Sequence, residues 1–136
     1  MTAVLDTNAV VAVLDDGDRN HGRAVEWLGV VDEDLVTTPL ALAEMDHFAQ
    51  KTGGHDAASL LWRDFESGAY GVRWWADALG QTLAIARQHP WIGLTDSSLV
   101  ALAGLLRTNR IVTFDDHFRS LTTPRGEPFI VLPVDA

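Results

Sequence analysis

The chain of 136 residues contains no cysteine. Disulfides and thiolate metal sites are thereby excluded. Positive charge is scarce too: ten basic residues stand against nineteen acidic ones, the formal charge is −9, and Lys51 is the only lysine. A protein that held nucleic acid by phosphate neutralisation alone would be basic. A nucleic-acid ligand here would need positive charge from another source, either bound divalent cations or a basic partner protein. No apolar run approaches the length of a membrane span, and Met1 leads straight into a strand-like run with no basic leader before it. Repeats and low-complexity stretches are also missing. The expectation is one cytoplasmic domain over residues 1–136, with no membrane association and enough chain for one hydrophobic core.

What is present is an alternation of short apolar runs and helical patterns. Residues 2–5 read as a buried strand, followed by a helix over about 7–14 and a turn at Asp15-Asp16-Gly17-Asp18. Ala24, Trp27, Leu28 and Val31 recur at helical spacing. Residues 34–37 read as a second strand, and Thr38-Pro39 opens a helix, with threonine as the cap and proline at the first helical position. That helix is expected to stop at Gly53-Gly54, with another running over "HDAASLLWRDFESG". "AYGVRWW" is the third strand candidate and "ADALGQTLAIARQ" the next helix. "LTDSSLVALAGLLRTN" follows, with Leu99, Leu102, Ala103 and Leu106 on one stripe, and "RIVTF" and "FIVLPV" complete the strands. Such alternation predicts an α/β fold, a three-layer α/β/α sandwich on a mainly parallel sheet of four to five strands.

In parallel sheets ligands bind beyond the carboxyl ends of the strands. Asp6 follows the first strand directly, Asp115 follows the fourth, and Asp96 opens the Leu99/Leu102 helix. Each alone is explained by helix capping. Glu44 is not, because it lies inside its helix among Leu40, Ala41 and Phe48. A glutamate on an apolar face is uncommon without a charged partner. Carboxylates gathered at one sheet edge repel unless a cation neutralises them. Oxygen ligands without cysteine or histidine at metal spacing select Mg²⁺ or Mn²⁺ over Zn²⁺. Such ions lower the pKa of a bound water and stabilise charge growing on a phosphodiester.

"VLDTNAVVAVL", "LALAEMDHF", "LTDSSLVALA" and "RIVTFDDHF", in that order, cover nearly the whole chain. Together they resemble the PIN-domain family, and within it the VapC-type toxins of VapBC toxin–antitoxin pairs. The resemblance implies a metal-dependent endoribonuclease with a four-carboxylate Mg²⁺ or Mn²⁺ site formed by Asp6, Glu44, Asp96 and Asp115. Asn8 and Thr113 match polar positions that support such a site. Asp116 is a second candidate for the fourth place, with Asp115 preferred because it follows the strand at once. The resemblance also implies an RNA substrate, a homodimer, and a cognate antitoxin whose basic C-terminal segment covers the active site.

Other residues have plainer readings. His47 could reach the face of Glu44 but reads as a surface or supporting residue, and His21 as structural. Trp62, Trp74, Trp75 and Trp91 could stack bases, although core or interface packing is the commoner use of large aromatics. Arg19, Arg23, Arg73, Arg119 and Arg125 are unranked candidates for phosphate contacts. A receiver-type signalling domain would need a lysine at the end of its last strand, and that strand reads "FIVLPVDA". An aspartate-nucleophile phosphotransferase would need Asp-x-Asp, where this chain has Asp6-Thr7-Asn8. The remaining alternative is an inactive PIN-like protein-interaction module.

Overall fold

The computed structural model describes residues 1–136. Five strands form one sheet: β1 (Thr2–Leu5), β2 (Asp34–Thr37), β3 (Gly71–Val72), β4 (Arg110–Val112) and β5 (Ile130–Leu132). Their order is β3-β2-β1-β4-β5, and every pairing is parallel. Five helices flank the sheet: α1 (Thr7–Leu14), α2 (His21–Val30), α3 (Pro39–Glu66), α4 (Ala78–Gln88) and α5 (Gly93–Leu106). The expected α/β architecture is present, with all five strand candidates in the sheet. β3 is the shortest. Only Gly71 and Val72 of "AYGVRWW" pair with β2; Trp74 and Trp75 lie beyond the strand, their rings tilted against each other with centroids 5.8 Å apart.

The central strand shows why the sheet is parallel. Ala3, Val4 and Leu5 are completely buried, so β1 is apolar on both faces and must be covered by helices on each. Its neighbours are β2 through Val4–Val36 and β4 through Val4–Ile111 and Leu5–Val112. The chain therefore leaves β1 in one direction and later returns on its other side. The crevice beyond the carboxyl ends of β1 and β4 is the switch point at which such folds place ligands.

The helices follow their sequence signals closely, with one instructive departure. Thr38 caps α3 as expected, its Oγ1 accepting from the Ala41 amide, with Pro39 in the first turn. The anticipated stop at Gly53-Gly54 is present as a kink within α3: Gly54 takes φ 64 and ψ −153, and the second helical segment follows at once. The departure is α5. Its first turn begins at Gly93, three residues before Asp96, and Ser97 through Ala103 are all buried. It is thus a central helix packed among α3, α4 and β1 rather than one with a single apolar stripe. The serines are tolerated inside because Ser97 Oγ donates to the Gly93 carbonyl, and Ser98 Oγ bonds the Thr95 carbonyl and Thr38 Oγ1. Those last bonds also tie the start of α3 to the start of α5, the two helices that carry Glu44 and Asp96.

Candidate metal centre

A cleft of about 470 Å³ opens beyond the carboxyl ends of β1 and β4. Asp6, Glu44, Asp96 and Asp115 all line it, with Thr7, Asn8 and an apolar wall that includes Val11, Phe48, Ile92 and Leu94. Four carboxylates spread over 110 positions of sequence are thereby brought to one opening. A larger groove of about 770 Å³ lies between α4, α5 and the loop at 121–126, but Asp77 is its only acidic residue. The acidic chemistry belongs to the smaller cleft.

Asp6 is the most constrained member. It is 5% exposed, and it caps α1, with Oδ1 accepting from the Thr7 amide at 2.7 Å. Its Oδ2 accepts from Thr113 Oγ1 at 2.8 Å. The capping and site readings of Asp6 are therefore not exclusive: one oxygen serves the helix and the other turns toward β4. Thr113 in turn accepts from the Asp115 amide at 3.0 Å, and Asn8 Oδ1 accepts from the Phe114 amide at 3.0 Å. These bonds stitch the loop after β1 to the loop after β4, with Asn8 and Thr113 in the supporting places expected of them.

Asp96 lies inside the first turn of α5 and caps nothing; the helix has no side-chain cap at its start. Capping therefore does not account for it. Glu44 is half-buried beside Phe48 and belongs to none of the molecule's five ion pairs. Asp115 lines the cleft, while the side chain of Asp116 is 96% exposed and points toward Arg119 at 3.8 Å. Of the two adjacent aspartates, only Asp115 faces the other three carboxylates.

Crowding shows in the acidities. Burial, then the neighbouring charges of Asp96 and Glu44, push Asp6 up to about 7 against the opposing hydrogen bonds from Thr113 and Thr7. Asp96 is also raised, chiefly by burial, with Asp115 and Glu44 adding to the effect and His117 opposing it. His117 is the one basic side chain paired with the cluster. As they stand, no three of its acidic side chains converge at ligating distance. Asp6 leans on Thr113, and Asp115 leans on His117, whose Nδ1 is 3.1 Å from Asp115 and 3.6 Å from Asp96. Repelling carboxylates settle on whatever donors are nearby. A hard divalent cation fits this donor set, and the buried Oγ1 of Thr7, which lines the same cleft with no hydrogen-bond partner, leaves another oxygen available.

His117 is the participant that its sequence position did not disclose. It lies two residues beyond Asp115, where the Asp115 Oδ1 accepts from its amide at 2.9 Å and opens a short 3-10 turn at His117–Ser120. An aspartate followed two positions later by histidine at a strand end is a usable signal. The two histidines read from the sequence behave as expected: His21 Nδ1 sits 2.7 Å from the Ala12 carbonyl and fastens α2 to α1, and exposed His47 meets Phe48 edge-on. The arginines now separate as well. Arg119 is held by Asp135, and Arg23 lies over the Phe114 ring at 5.7 Å, next to Asp115 in the chain.

Comparison with known proteins identifies the family. Residues 3–123 match the PIN domain family. The chain is 31% identical to ribonuclease VapC26 of Mycobacterium tuberculosis, over 96% of this chain and 99% of that protein. It superposes on the crystal structure of M. tuberculosis VapC20, described as a sarcin-ricin-loop-cleaving toxin. That match has a TM-score of 0.81 and 20% identity, and covers 88% of this chain and 94% of that one. The fold is also that of VapBC2 from Rickettsia felis, solved bound to a promoter DNA fragment, with a TM-score of 0.66, 17% identity, and 96% and 97% of the two chains covered. The chain belongs to the PIN domain family, among its VapC-type members.

Proposed function

We propose that the protein is a metal-dependent endoribonuclease acting as the toxin of a toxin–antitoxin pair. The observation that carries this reading is the convergence of Asp6, Glu44, Asp96 and Asp115 on one cleft at the sheet's switch point, with Asp6 buried and raised to about 7. The likeness to ribonuclease VapC26 along nearly the whole chain supports RNA as the substrate and hydrolysis as the reaction. Asp6, Glu44, Asp96 and Asp115 are the residues that would hold Mg²⁺ or Mn²⁺. When bound, such an ion supplies positive charge for the scissile phosphate and lowers the pKa of an attacking water.

The chain's own residues do the rest. Thr113 and the Thr7 amide hold Asp6 in one rotamer, so that a ligand oxygen is oriented before the ion arrives. His117, within reach of both Asp96 and Asp115, steadies the two outer carboxylates. Val11, Phe48, Ile92 and Leu94 form the apolar side of the cleft.

The acidic cleft also suits a basic antitoxin segment that would cover it, and solved relatives of this fold include toxin–antitoxin complexes. A homodimer and a cytoplasmic location complete the proposal. No helix is long and apolar enough to cross a membrane. The test is cleavage of total RNA in Mg²⁺ or Mn²⁺ by the wild type, Asp6→Asn and Asp96→Asn. Each substitution keeps shape and removes charge, and each is expected to lower cleavage at least about 100-fold while circular dichroism is unchanged. Undiminished cleavage by both variants would overturn the metal mechanism.

A further inference from the structure

The five tryptophans have different surroundings. Trp27 packs against the core, Trp62 donates to Asp46, Trp75 donates to Gln81, and Trp74 stacks on Trp75. Trp91 alone touches a side chain that is itself bonded to the carboxylate cluster. Its ring stands perpendicular to that of His117 with centroids 5.9 Å apart, and His117 Nδ1 is 3.1 Å from Asp115. His89 meets the same indole from the chain side at 6.4 Å. Held by two imidazoles, Trp91 still leaves 56% of its surface open, and the next four residues, Ile92 to Thr95, form the cleft wall.

A chain of charge −9 has little phosphate-neutralising affinity to offer a polyanion. Beside the charge that bound cations would supply, RNA affinity needs contacts that do not depend on charge, and a rigid, exposed indole beside the cleft offers one. We propose that Trp91 is the stacking platform for an unpaired base of the nucleotide adjoining the scissile phosphate, held in place by His89 and His117. This inference rests on the endoribonuclease reading for its occupant.

The test measures binding and cleavage separately. Binding of a short single-stranded oligoribonucleotide carrying a terminal dye is followed by fluorescence anisotropy of the dye in metal-free buffer, for the wild type, Trp91→Phe and Trp91→Ala. The measurement is repeated with a single abasic position walked along the RNA. Expected is a loss of about 5- to 150-fold for Trp91→Ala. Trp91→Phe should retain most of the affinity, and the salt dependence should not change, since no phosphate contact is removed. One abasic position should cost the wild type a similar factor and cost Trp91→Ala nothing more. If Trp91→Ala binds as the wild type does, or if every abasic RNA discriminates the two proteins equally, the platform is refuted. Wild-type cleavage in Mg²⁺ with no effect at Trp91 leaves the nuclease reading standing and removes the platform. Trp91-dependent binding without cleavage does the reverse. Absence of both overturns both.

Discussion

The hydroxyl of Thr113 does two jobs at one atom, donating to Asp6 and accepting from the Asp115 amide. Its side chain is fully buried, so neither bond can be replaced by water without opening the loop. Thr113→Val keeps the shape and removes the hydroxyl, freeing Asp6 to rotate. Cleavage is expected to fall by about 10- to 100-fold, the usual effect of losing a residue that orients a metal ligand, with a loss of stability of about 1–3 kcal/mol. Thr113→Ser should restore most of the activity, and a variant series assayed for both cleavage and urea midpoint would separate the two effects. This residue also shows what the sequence could disclose. Asp6 and Asp115 were legible because they stand at the ends of apolar strands, and Glu44 because it sits on an apolar face. The bonds among Asn8, Thr113 and the Phe114 amide were not, since they join positions more than a hundred residues apart and only the folded register brings them together. His117 was hidden for a related reason: its spacing from Asp115 is visible in the sequence, but its second contact, with Asp96, exists only because α5 arrives beside it.

Among the elements, two backbone positions carry opposite expectations. Gly54 takes φ 64 and ψ −153 in the middle of α3, a region open to glycine and closed to side chains. Nothing crowds the position, so the cost of a Cβ there is conformational. Gly54→Ala should lower stability by about 1–3 kcal/mol in urea denaturation. Arg107 ends α5 in the left-handed conformation with φ 53, which a glycine would adopt without strain. Arg107→Gly should raise stability by about 1 kcal/mol in the same measurement. Helix boundaries were readable wherever a cap or breaker spoke for itself, as at Thr38-Pro39 and Gly53-Gly54. They were less so at α5, which starts at Gly93 without any side-chain cap. The single-stripe reading of that helix failed because it has partners on several sides, and a small-residue pattern such as "SSLVALA" serves close packing as well as a core face.

Across the whole molecule, the excess of acid concentrates into a linkage between protons, cations and folding. Asp6 ionises near its ordinary value of 3.8 in the unfolded chain but at about 7 when folded without a cation. The folded state therefore holds the proton longer. Its contribution is neutral at low pH, becomes unfavourable as pH rises through 3.8 to about 7, and then levels off, on the order of a few kcal/mol. Thermal unfolding in a chelator should accordingly show a melting temperature that declines from pH 5 to pH 8. Adding Mg²⁺ or Mn²⁺ should recover it, most strongly at the higher pH, where the carboxylates are ready to ligate. A melting temperature that rises over that interval in chelator, or that ignores the metal, would contradict this. The order β3-β2-β1-β4-β5 has a temporal consequence as well. Asp6 and Glu44 leave the ribosome early, but the strand that brings Thr113 and Asp115 beside them begins only at Arg110. A nascent polypeptide that stops before Arg110 lacks Thr113 and Asp115 and cannot assemble the cleft, so no action that depends on this opening can begin until β4 has been made.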